Sequence, residues 1–377
     1  MLNSQLYLSL IHNPAGLEQL ACCLDLASFM RCLRQLLRME LVSDHELLLW
    51  LEAENSVCIS PELELFSSFW LPDEYKKQTQ EILWLPALNR PVQSYFADYA
   101  TETRANLLAS LIRPKTSLTA LLNQEDALIA VEPSGFIFHL SRCGSTLVSR
   151  SLVVSESCRV IAESEVFTSV FQDQKLNEPQ RNRALKLMVS LQGRLRGKEQ
   201  HLVVKWNAWD LCFVQQIKQL YPNTPFVFLT RQPLDILASH QKSAGWHMVP
   251  LPQQRRLFDW PVADCEDGAL LHYQQRVLQQ LILWMLHYSE LKQVLMLDYQ
   301  TLPQAVEERI LPFFKLSFST GELQMMRQNQ QQYSKNPQLL FQPDGWKQKH
   351  FDDQQSLELT RKLSPLYQQL MVYTQVT

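Results

Sequence analysis

The chain has 377 residues, of which 46% are hydrophobic and 19% are charged, an ordinary composition for a globular protein with a sizeable core. Its 35 basic and 38 acidic residues give a formal net charge of −3. Because general nucleic-acid and membrane-surface binders usually carry an excess of basic residues, this balance argues against both as partners. A chain of this length forms one large domain or two modest ones.

The cysteines and the N-terminus indicate a cellular compartment. The eight cysteines include no C-x-x-C pair and none of the spacings typical of zinc sites. The N-terminus has no basic start followed by a long apolar core, and no apolar run reaches the length of a membrane span. We therefore expect reduced thiols, no metal, no membrane span and a cytoplasmic location. The sequence gives no indication of the oligomeric state.

Residues 1–130 are predicted to form a mostly α-helical cap or accessory region. Leucine, alanine and methionine recur at helical spacing over 17–37, and Ser43 and Glu46 have the spacing of a capping box. A further helix is predicted over 91–112, with a proline at its first turn. Because no catalytic motif occurs here, the region is interpreted either as structural or as a part that shapes an acceptor pocket or binds a carrier protein.

From 131 to 377 short apolar segments alternate with helical ones, which marks a second region. Apolar strands separated by helices are typical of a parallel sheet that is covered on both faces. We therefore predict an α/β fold, a three-layer parallel sheet with helices on both faces. Ligands of such sheets bind at the carboxyl ends of the strands. The predicted strands are 136–140, 159–162, 201–205, 226–230 and 294–297, and the predicted helices are 145–154, 181–196, 209–220, 233–242 and 270–291.

The first of these strands runs into the loop 141–146, Ser-Arg-Cys-Gly-Ser-Thr, before a helix begins. A strand, a turn of small residues and a helix start direct backbone N–H groups at one point, where anions, usually phosphates, bind. Arg142 adds positive charge, and Ser145 and Thr146 add hydroxyl donors. This is not the Walker A loop of kinases and ATPases, because that pattern needs glycine at 139 and lysine at 145, where the chain has His139 and Ser145.

A second motif lies at the end of the fourth predicted strand. Arg231 ends that strand, and Pro233 opens the next helix, where its missing N–H costs little. Asp235 lies in the first turn, where the helix dipole favours a carboxylate, and Ser239 follows four residues later. Alone, this pattern fits a structural ion pair at a helix start as well as it fits a binding site.

Together the two motifs resemble those of the PAPS-dependent sulfotransferases. The segment 140–147 is similar to the 5′-phosphosulfate loop of that family, and the segment 231–239 matches its 3′-phosphate motif R-x-P-x-D-x-x-x-S at every defined position. The resemblance extends more loosely over 135–352 and implies a P-loop NTPase-like sulfotransferase fold. It also implies PAPS (3′-phosphoadenosine 5′-phosphosulfate) as sulfuryl donor, PAP as product and no metal.

The resemblance also implies roles for individual residues. Arg142 and Lys205 are expected to act in catalysis, Arg142 on the bridging oxygen of the donor. Lys335 and Lys347 lie where the similarity is loose, and they are equally well interpreted as solvated loop charges. The implied donor-binding residues are Arg142, Cys143, Gly144, Ser145, Thr146, Arg231, Ser239, Lys335 and Lys347.

The catalytic base departs from the usual pattern of the family. Cytosolic relatives end a strand with K-T-H, whereas this chain has Asn207 at the position of the histidine, and asparagine is no base at neutral pH. Other branches use a carboxylate after the second strand, where the chain has Glu163 and Glu165. We expect one of these glutamates, by preference Glu163, to be the base; the alternative is that either caps the following helix.

The expected function is that of a cytoplasmic sulfotransferase acting on a hydroxyl or amine of a small-molecule, lipid or peptide acceptor. The long segment 243–268 is a candidate for contacts with the acceptor. Two alternatives stay open. One is a catalytically inactive PAPS- or PAP-binding protein, which Asn207 favours, and the other is a P-loop-like nucleotide kinase, which the missing lysine at 145 disfavours.

Overall fold

A computed structural model describes residues 2–128, 130–250, 270–333, 336–340 and 351–376. The chain forms two compact units. The first comprises Met1–Glu132 and Glu163–Gly197, and the second comprises Pro133–Ala162 and Lys198–Thr377. Because a compact unit need not be an independent domain, the division into 1–130 and 131–377 stays a prediction.

Helices predominate in the first unit, and a small sheet that the sequence pattern did not indicate accompanies them. The strands β1 (Cys58–Ile59), β2 (Trp70–Lys76), β3 (Glu81–Pro86) and β4 (Lys115–Ser117) lie in the spatial order β1-β4-β3-β2. β1 pairs with β4 in parallel, and the other pairs are antiparallel. The helices are Ser4–Ile11, Pro14–Ala21, Leu26–Leu37, Asp44–Ser56, Leu63–Phe66, Phe96–Arg104, Leu107–Leu111, Leu118–Leu122, Glu165–Phe171 and Glu178–Gln192.

Polar side chains determine where two of these helices begin. The Glu46 N–H donates to Ser43 Oγ at 3.3 Å while the Ser43 N–H donates to the Glu46 carboxylate at 2.9 Å, so the predicted capping box is confirmed. The single helix predicted over 91–112 was wrong in extent, because two shorter helices occupy this range. Asn106 Oδ1 accepts from the Leu108 N–H at 2.9 Å and so starts the second of them.

The second unit is built on a five-stranded sheet that is parallel throughout. Its strands are β5 (Gly135–His139), β6 (Cys158–Ala162), β7 (His201–Lys205), β8 (Phe226–Thr230) and β9 (Val294–Asp298), in the spatial order β6-β7-β5-β8-β9. The predicted parallel α/β fold is confirmed, and each strand begins and ends within one residue of its predicted bounds. A separate antiparallel pair joins β10 (Gln332–Tyr333) to β11 (Asn336–Leu340).

Helices and short turns surround this sheet. The predicted helix 209–220 consists of a 3₁₀ helix, Ala208–Phe213, followed by an α-helix. A π-helical turn spans Val306–Ile310. The α-helices are Ser145–Leu152, Val214–Leu220, Pro233–Lys242, Leu270–Tyr288, Leu311–Phe313, Thr320–Gln330 and Asp353–Val376.

Both faces of the sheet are buried, as alternate residues of the central strand β5 show. On one face Ile137 belongs to an apolar cluster with Val148 of the following helix. On the other face the rings of Phe136 and Phe138 lie 5.5 and 5.9 Å from the ring of Trp206. Because side chains fill both faces, groups that bind a ligand must lie at the ends of the strands.

Three further features concern the described residues only. Within them, no helix combines the length and the apolar character needed to cross a bilayer. No group of three or more His, Cys, Asp or Glu side chains in the described ranges is arranged to hold a metal ion. The described cysteines are free thiols.

Candidate functional site

The loop between β5 and the helix Ser145–Leu152 has an uncommon backbone conformation. Ser141, Arg142 and Gly144 have φ angles of 68°, 52° and 84°, in the left-handed region. This region costs a residue with a side chain about 1 kcal/mol or more. The Ser141 N–H donates to Nδ1 of the buried His139 at 3.0 Å, which holds the start of the loop. Turns of this kind direct successive N–H groups to one concave side, a shape that binds anions.

Gly144 is required in this loop for two reasons. Its φ of 84° is strained for any residue with a Cβ atom. A Cβ atom at this position would also lie 2.6 Å from Leu302 Cδ1 and 3.1 Å from Tyr299 Cδ2. Gly144 precedes the helix directly, and the first N–H groups of a helix have no partner within it. The loop therefore approaches its neighbours closely and leaves backbone donors for a ligand.

Cys143 contributes its backbone to the loop, whereas its side chain points into the core. The thiol is fully buried in the apolar cluster, and Sγ donates to the Leu229 carbonyl at 3.2 Å. Burial raises the pKa of the Cys143 thiol to about 12. Only the backbone N–H group of Cys143 is therefore available for the predicted role of this residue in donor binding.

We expect the Cys143 thiol to resist alkylation by iodoacetamide at about pH 8 in the folded protein and to react after unfolding. The thiolate is the reactive form, and a thiol with a pKa of about 12 is almost wholly protonated at that pH. The exposed thiol of Cys22 is the control and should be alkylated in both states. Peptide mass spectrometry measures both sites in one sample, and equal labelling in the folded protein would contradict the buried position of Cys143.

Three cationic side chains lie at the carboxyl ends of the neighbouring strands β7, β5 and β8. Lys205 ends β7, Arg142 follows β5, and Arg231 follows β8. Lys205 is fully buried, and its Nζ donates to Thr146 Oγ1 at 3.4 Å. Arg231 is 5% exposed, and its Nη1 donates to the carbonyl oxygen of Arg142 at 3.1 Å. The structure thus brings the three cations and Thr146 together around one loop. Their roles in binding and catalysis stay predictions.

Arg231 is held in place by two more side chains. Its guanidinium carbon lies 3.9 Å from the centroid of the Tyr299 ring, and its Nη2 lies 3.4 Å from Asp235 Oδ2. A guanidinium over an aromatic ring gains about 0.5–2 kcal/mol. Tyr299 was not recognised from the sequence as a site residue; it lies two residues after the predicted strand 294–297. The guanidinium is therefore oriented before any ligand binds.

A buried carboxylate ends the edge strand β9. Asp298 accepts from the Tyr367 hydroxyl at 2.7 Å and from the Gln300 N–H at 2.9 Å. Burial, and next the hydrogen bond to Asp298, raise the pKa of Tyr367, so this hydroxyl stays a protonated donor. Carboxylates thus accompany the cations at this end of the sheet, since Asp298 ends β9 and Asp235 lies 3.4 Å from Arg231 Nη2.

The remaining predicted donor-binding residues lie in different places. Ser145 is buried at the start of the helix that follows the loop. Ser239 is half-buried on the helix Pro233–Lys242, which begins two residues after Arg231. Lys335 and Lys347 lie outside the described residues.

The candidate bases belong to the first unit. Glu163 directly follows β6 and has a φ of 54°, again in the left-handed region. Glu165 is exposed and is the first residue of the helix Glu165–Phe171. Ser164 occupies the N-cap position of that helix without a side-chain cap hydrogen bond, and Glu165 lies in its first turn. The choice between a catalytic base and a helix cap stays a prediction.

The residue at the position of the family histidine has a structural role. The backbone N–H and the side-chain Nδ2 of Asn207 donate to Asp210 Oδ2 at 3.0 and 3.1 Å. The two residues form a capping box that starts the 3₁₀ helix Ala208–Phe213. Asn207 therefore fixes a helix start and supplies no base.

The segment 243–268, predicted to contact the acceptor, lies within the described residues only as far as 250. The Arg142 guanidinium donates to the carbonyl of Ser243, so the segment starts beside the loop. Trp246 is 41% exposed, and its ring centroid lies 4.9 Å from that of Trp209. Contact with an acceptor stays a prediction.

No family model and no curated protein matches the sequence. Among solved structures, the chain is similar to a sulfotransferase from Alicyclobacillus acidocaldarius (TM-score 0.42, 15% identity, 65% of this chain and 96% of that chain covered). It is also similar to a mouse sulfotransferase in complex with PAP (TM-score 0.39, 13% identity, 68% and 94% covered). A sulfotransferase from Mycobacterium avium is similar too (TM-score 0.38, 10% identity, 56% and 71% covered). Similarities of this degree do not establish an activity.

Proposed function

We propose that the protein is a sulfotransferase that moves the sulfuryl group of PAPS to a hydroxyl or amine of an acceptor and releases PAP. The observation that carries this proposal is the convergence of Arg142, Lys205 and Arg231 at neighbouring strand ends around a left-handed loop. The two sulfotransferase-like motifs contain Arg142 and Arg231, and Lys205 is the residue that corresponds to the strand lysine of that family.

The donor presents a 5′-phosphosulfate and a 3′-phosphate, and both need cations and N–H donors. In this proposal the N–H groups of 143–146, with the hydroxyls of Ser145 and Thr146, bind the 5′-phosphosulfate. Arg231 and Ser239 bind the 3′-phosphate. A guanidinium suits this task because its planar fork matches two phosphate oxygens at once.

In the transfer, the bond between sulfur and the bridging oxygen breaks while a bond forms from sulfur to the acceptor atom. The electron pair of the broken bond leaves with PAP, and the proton of the acceptor passes to the base. Lys205 and Arg142 stabilise the negative charge that develops on the bridging oxygen, because preoriented cations favour the transition state. Glu163 is the preferred base and Glu165 the alternative; Glu163 follows Ala162, which pairs in register with Lys205.

A second candidate, a protein that binds PAP without catalysis, is favoured by Asn207. Its side chain caps a helix, and an amide accepts no proton at neutral pH. Acceptor-dependent conversion of PAPS to PAP that is lost in Glu163→Gln or in Glu165→Gln would support the enzyme over this candidate.

Isothermal titration of the full chain with PAP and with 5′-AMP tests the nucleotide. These ligands differ only in the 3′-phosphate, and hydrogen bonds to a charged group contribute about 3 kcal/mol at most each. We therefore expect PAP to bind about 100-fold more tightly than 5′-AMP. Equal affinity for the two nucleotides, or no binding of either, would overturn both candidates.

A further inference from the structure

The helix Asp353–Val376 follows the segment 135–352 that contains the sequence motifs, yet it packs against elements of the candidate site. Its neighbours include the edge strand β9 and the helix Pro233–Lys242, which belongs to the second sequence motif. From this helix the Tyr367 hydroxyl donates to Asp298 Oδ2 at 2.7 Å. A helix that no motif indicated thus reaches the carboxyl end of the sheet.

Asp298 connects this helix to the turn that carries Tyr299. Its Oδ2 accepts from Tyr367, while its Oδ1 accepts from the Gln300 N–H at 2.9 Å and so caps the 3₁₀ turn Tyr299–Thr301. Asp298 is 2% exposed, so its carboxylate depends on donors of the protein in place of water. The Tyr367 hydroxyl therefore holds the carboxylate in the orientation that starts this turn.

The same turn determines how the Arg231 guanidinium is oriented. Asp298 pairs in register with Thr230, so the next residues of the two strands, Tyr299 and Arg231, leave the sheet side by side. The Tyr299 ring then lies 3.9 Å from the guanidinium carbon. A continuous set of contacts thus runs from Tyr367 through the buried carboxylate and the turn to the guanidinium.

The charges around Tyr367 agree with this arrangement. Burial, and next the hydrogen bond to Asp298, raise the pKa of the Tyr367 hydroxyl; the Asp235 carboxylate raises this pKa further, and the Arg231 guanidinium lowers it. Because the interaction between charges weakens with distance, the hydroxyl lies close to the ion pair of Arg231 and Asp235.

We infer that Tyr367 is a positioning residue of the proposed 3′-phosphate site and that it acts through Asp298 on the orientation of Arg231. The inference rests on the proposed function, because it assigns a further helix to the donor site of that function. A guanidinium binds two phosphate oxygens at once only when its plane is correctly oriented. Loss of the Tyr367 hydroxyl frees the buried carboxylate, which loosens the turn and the ring that orients the guanidinium.

Isothermal titration of the full-length Tyr367→Phe variant with PAP and with 5′-AMP tests this inference. We expect PAP to bind about tenfold more weakly, the effect of one lost hydrogen bond to a charged group, and 5′-AMP to bind with little change. Tyr373→Phe is the matched control, because the Tyr373 hydroxyl of the same helix donates to Glu290 at 2.9 Å at the surface. This variant removes the same atom and should bind both nucleotides normally.

Combination with Arg231→Ala distinguishes positioning from a merely structural role. A residue that acts through Arg231 has no further effect once Arg231 is alanine, so Tyr367→Phe should then leave PAP binding unchanged. A general loosening of the fold would weaken PAP binding equally in both backgrounds and would overturn the inference. Tyr299→Leu is a second variant that removes the ring over Arg231, and it should give the same selective loss of PAP affinity.

The outcomes for the inference and for the proposed function can be told apart. Binding of PAP by the unaltered protein, with equal PAP affinities in Tyr367→Phe and Tyr373→Phe, would overturn the inference alone. Failure of the unaltered protein to bind PAP would overturn the proposed function and the inference with it.

Discussion

Replacement of Arg231 by alanine is expected to weaken PAP binding about 100-fold and to change 5′-AMP binding little. The guanidinium is buried at the end of β8 and is oriented by Tyr299 at 3.9 Å and by Asp235 at 3.4 Å. A preoriented fork binds a phosphate through charge-assisted hydrogen bonds, whose loss costs about 3 kcal/mol. Because 5′-AMP has no 3′-phosphate, it cannot lose this interaction. Isothermal titration of both nucleotides measures the difference.

Two control variants make this result specific. Arg231→Lys keeps the charge but loses the planar fork and its stacking on Tyr299, so it should restore only part of the affinity. Lys292→Ala removes an exposed cation of the same unit and should bind PAP normally. Equal losses of affinity for PAP and for 5′-AMP in Arg231→Ala would indicate general damage to the loop, since Arg231 also donates to the Arg142 carbonyl. An unchanged PAP affinity would remove Arg231 from the 3′-phosphate site.

The variant Gly144→Ala is expected to lose about 2–5 kcal/mol of unfolding free energy and most of its affinity for PAP. The left-handed φ of 84° costs alanine about 1–2 kcal/mol, and overpacking adds about 1–3 kcal/mol. The new methyl group would meet Leu302, whose end can move, and Tyr299, whose ring lies against Arg231. Relief of the clash therefore shifts the groups that bind phosphate. Urea unfolding and PAP titration measure the two effects.

Alanine variants of two other glycines distinguish the cost of backbone strain from the cost of steric crowding. Gly197 has a φ of 58° but would place a Cβ in open space, so Gly197→Ala should show the backbone cost alone. Gly321 has neither problem and lies in the helix Thr320–Gln330, where alanine should be neutral or slightly stabilising. A stability loss in Gly144→Ala no larger than that in Gly197→Ala would show that the contacts with Leu302 and Tyr299 are not tight.

Local sequence patterns were sufficient to predict the strands of the second unit, the loop 141–146 and the capping box at Ser43. Each depends on residues that are close in the chain. A strand buried on both faces is a short apolar run, and a capping box needs two residues three positions apart. The motifs around Arg142 and Arg231 could be placed at strand ends for the same reason. The boundaries of 91–112 were wrong because one helix ends at Arg104 and Asn106 starts another, although the sequence pattern looks continuous there.

Which of these local elements lie together depends on long-range packing, which the sequence patterns do not contain. The order β6-β7-β5-β8-β9 places Lys205, Arg142 and Arg231 on neighbouring strands, and no local pattern contains that order. The stacking of Tyr299 on Arg231 and the burial of the Cys143 thiol likewise join residues that are distant in the chain. Such contacts form because whole faces of a sheet or helix must be buried, and the partner that buries each face is a property of the assembled fold.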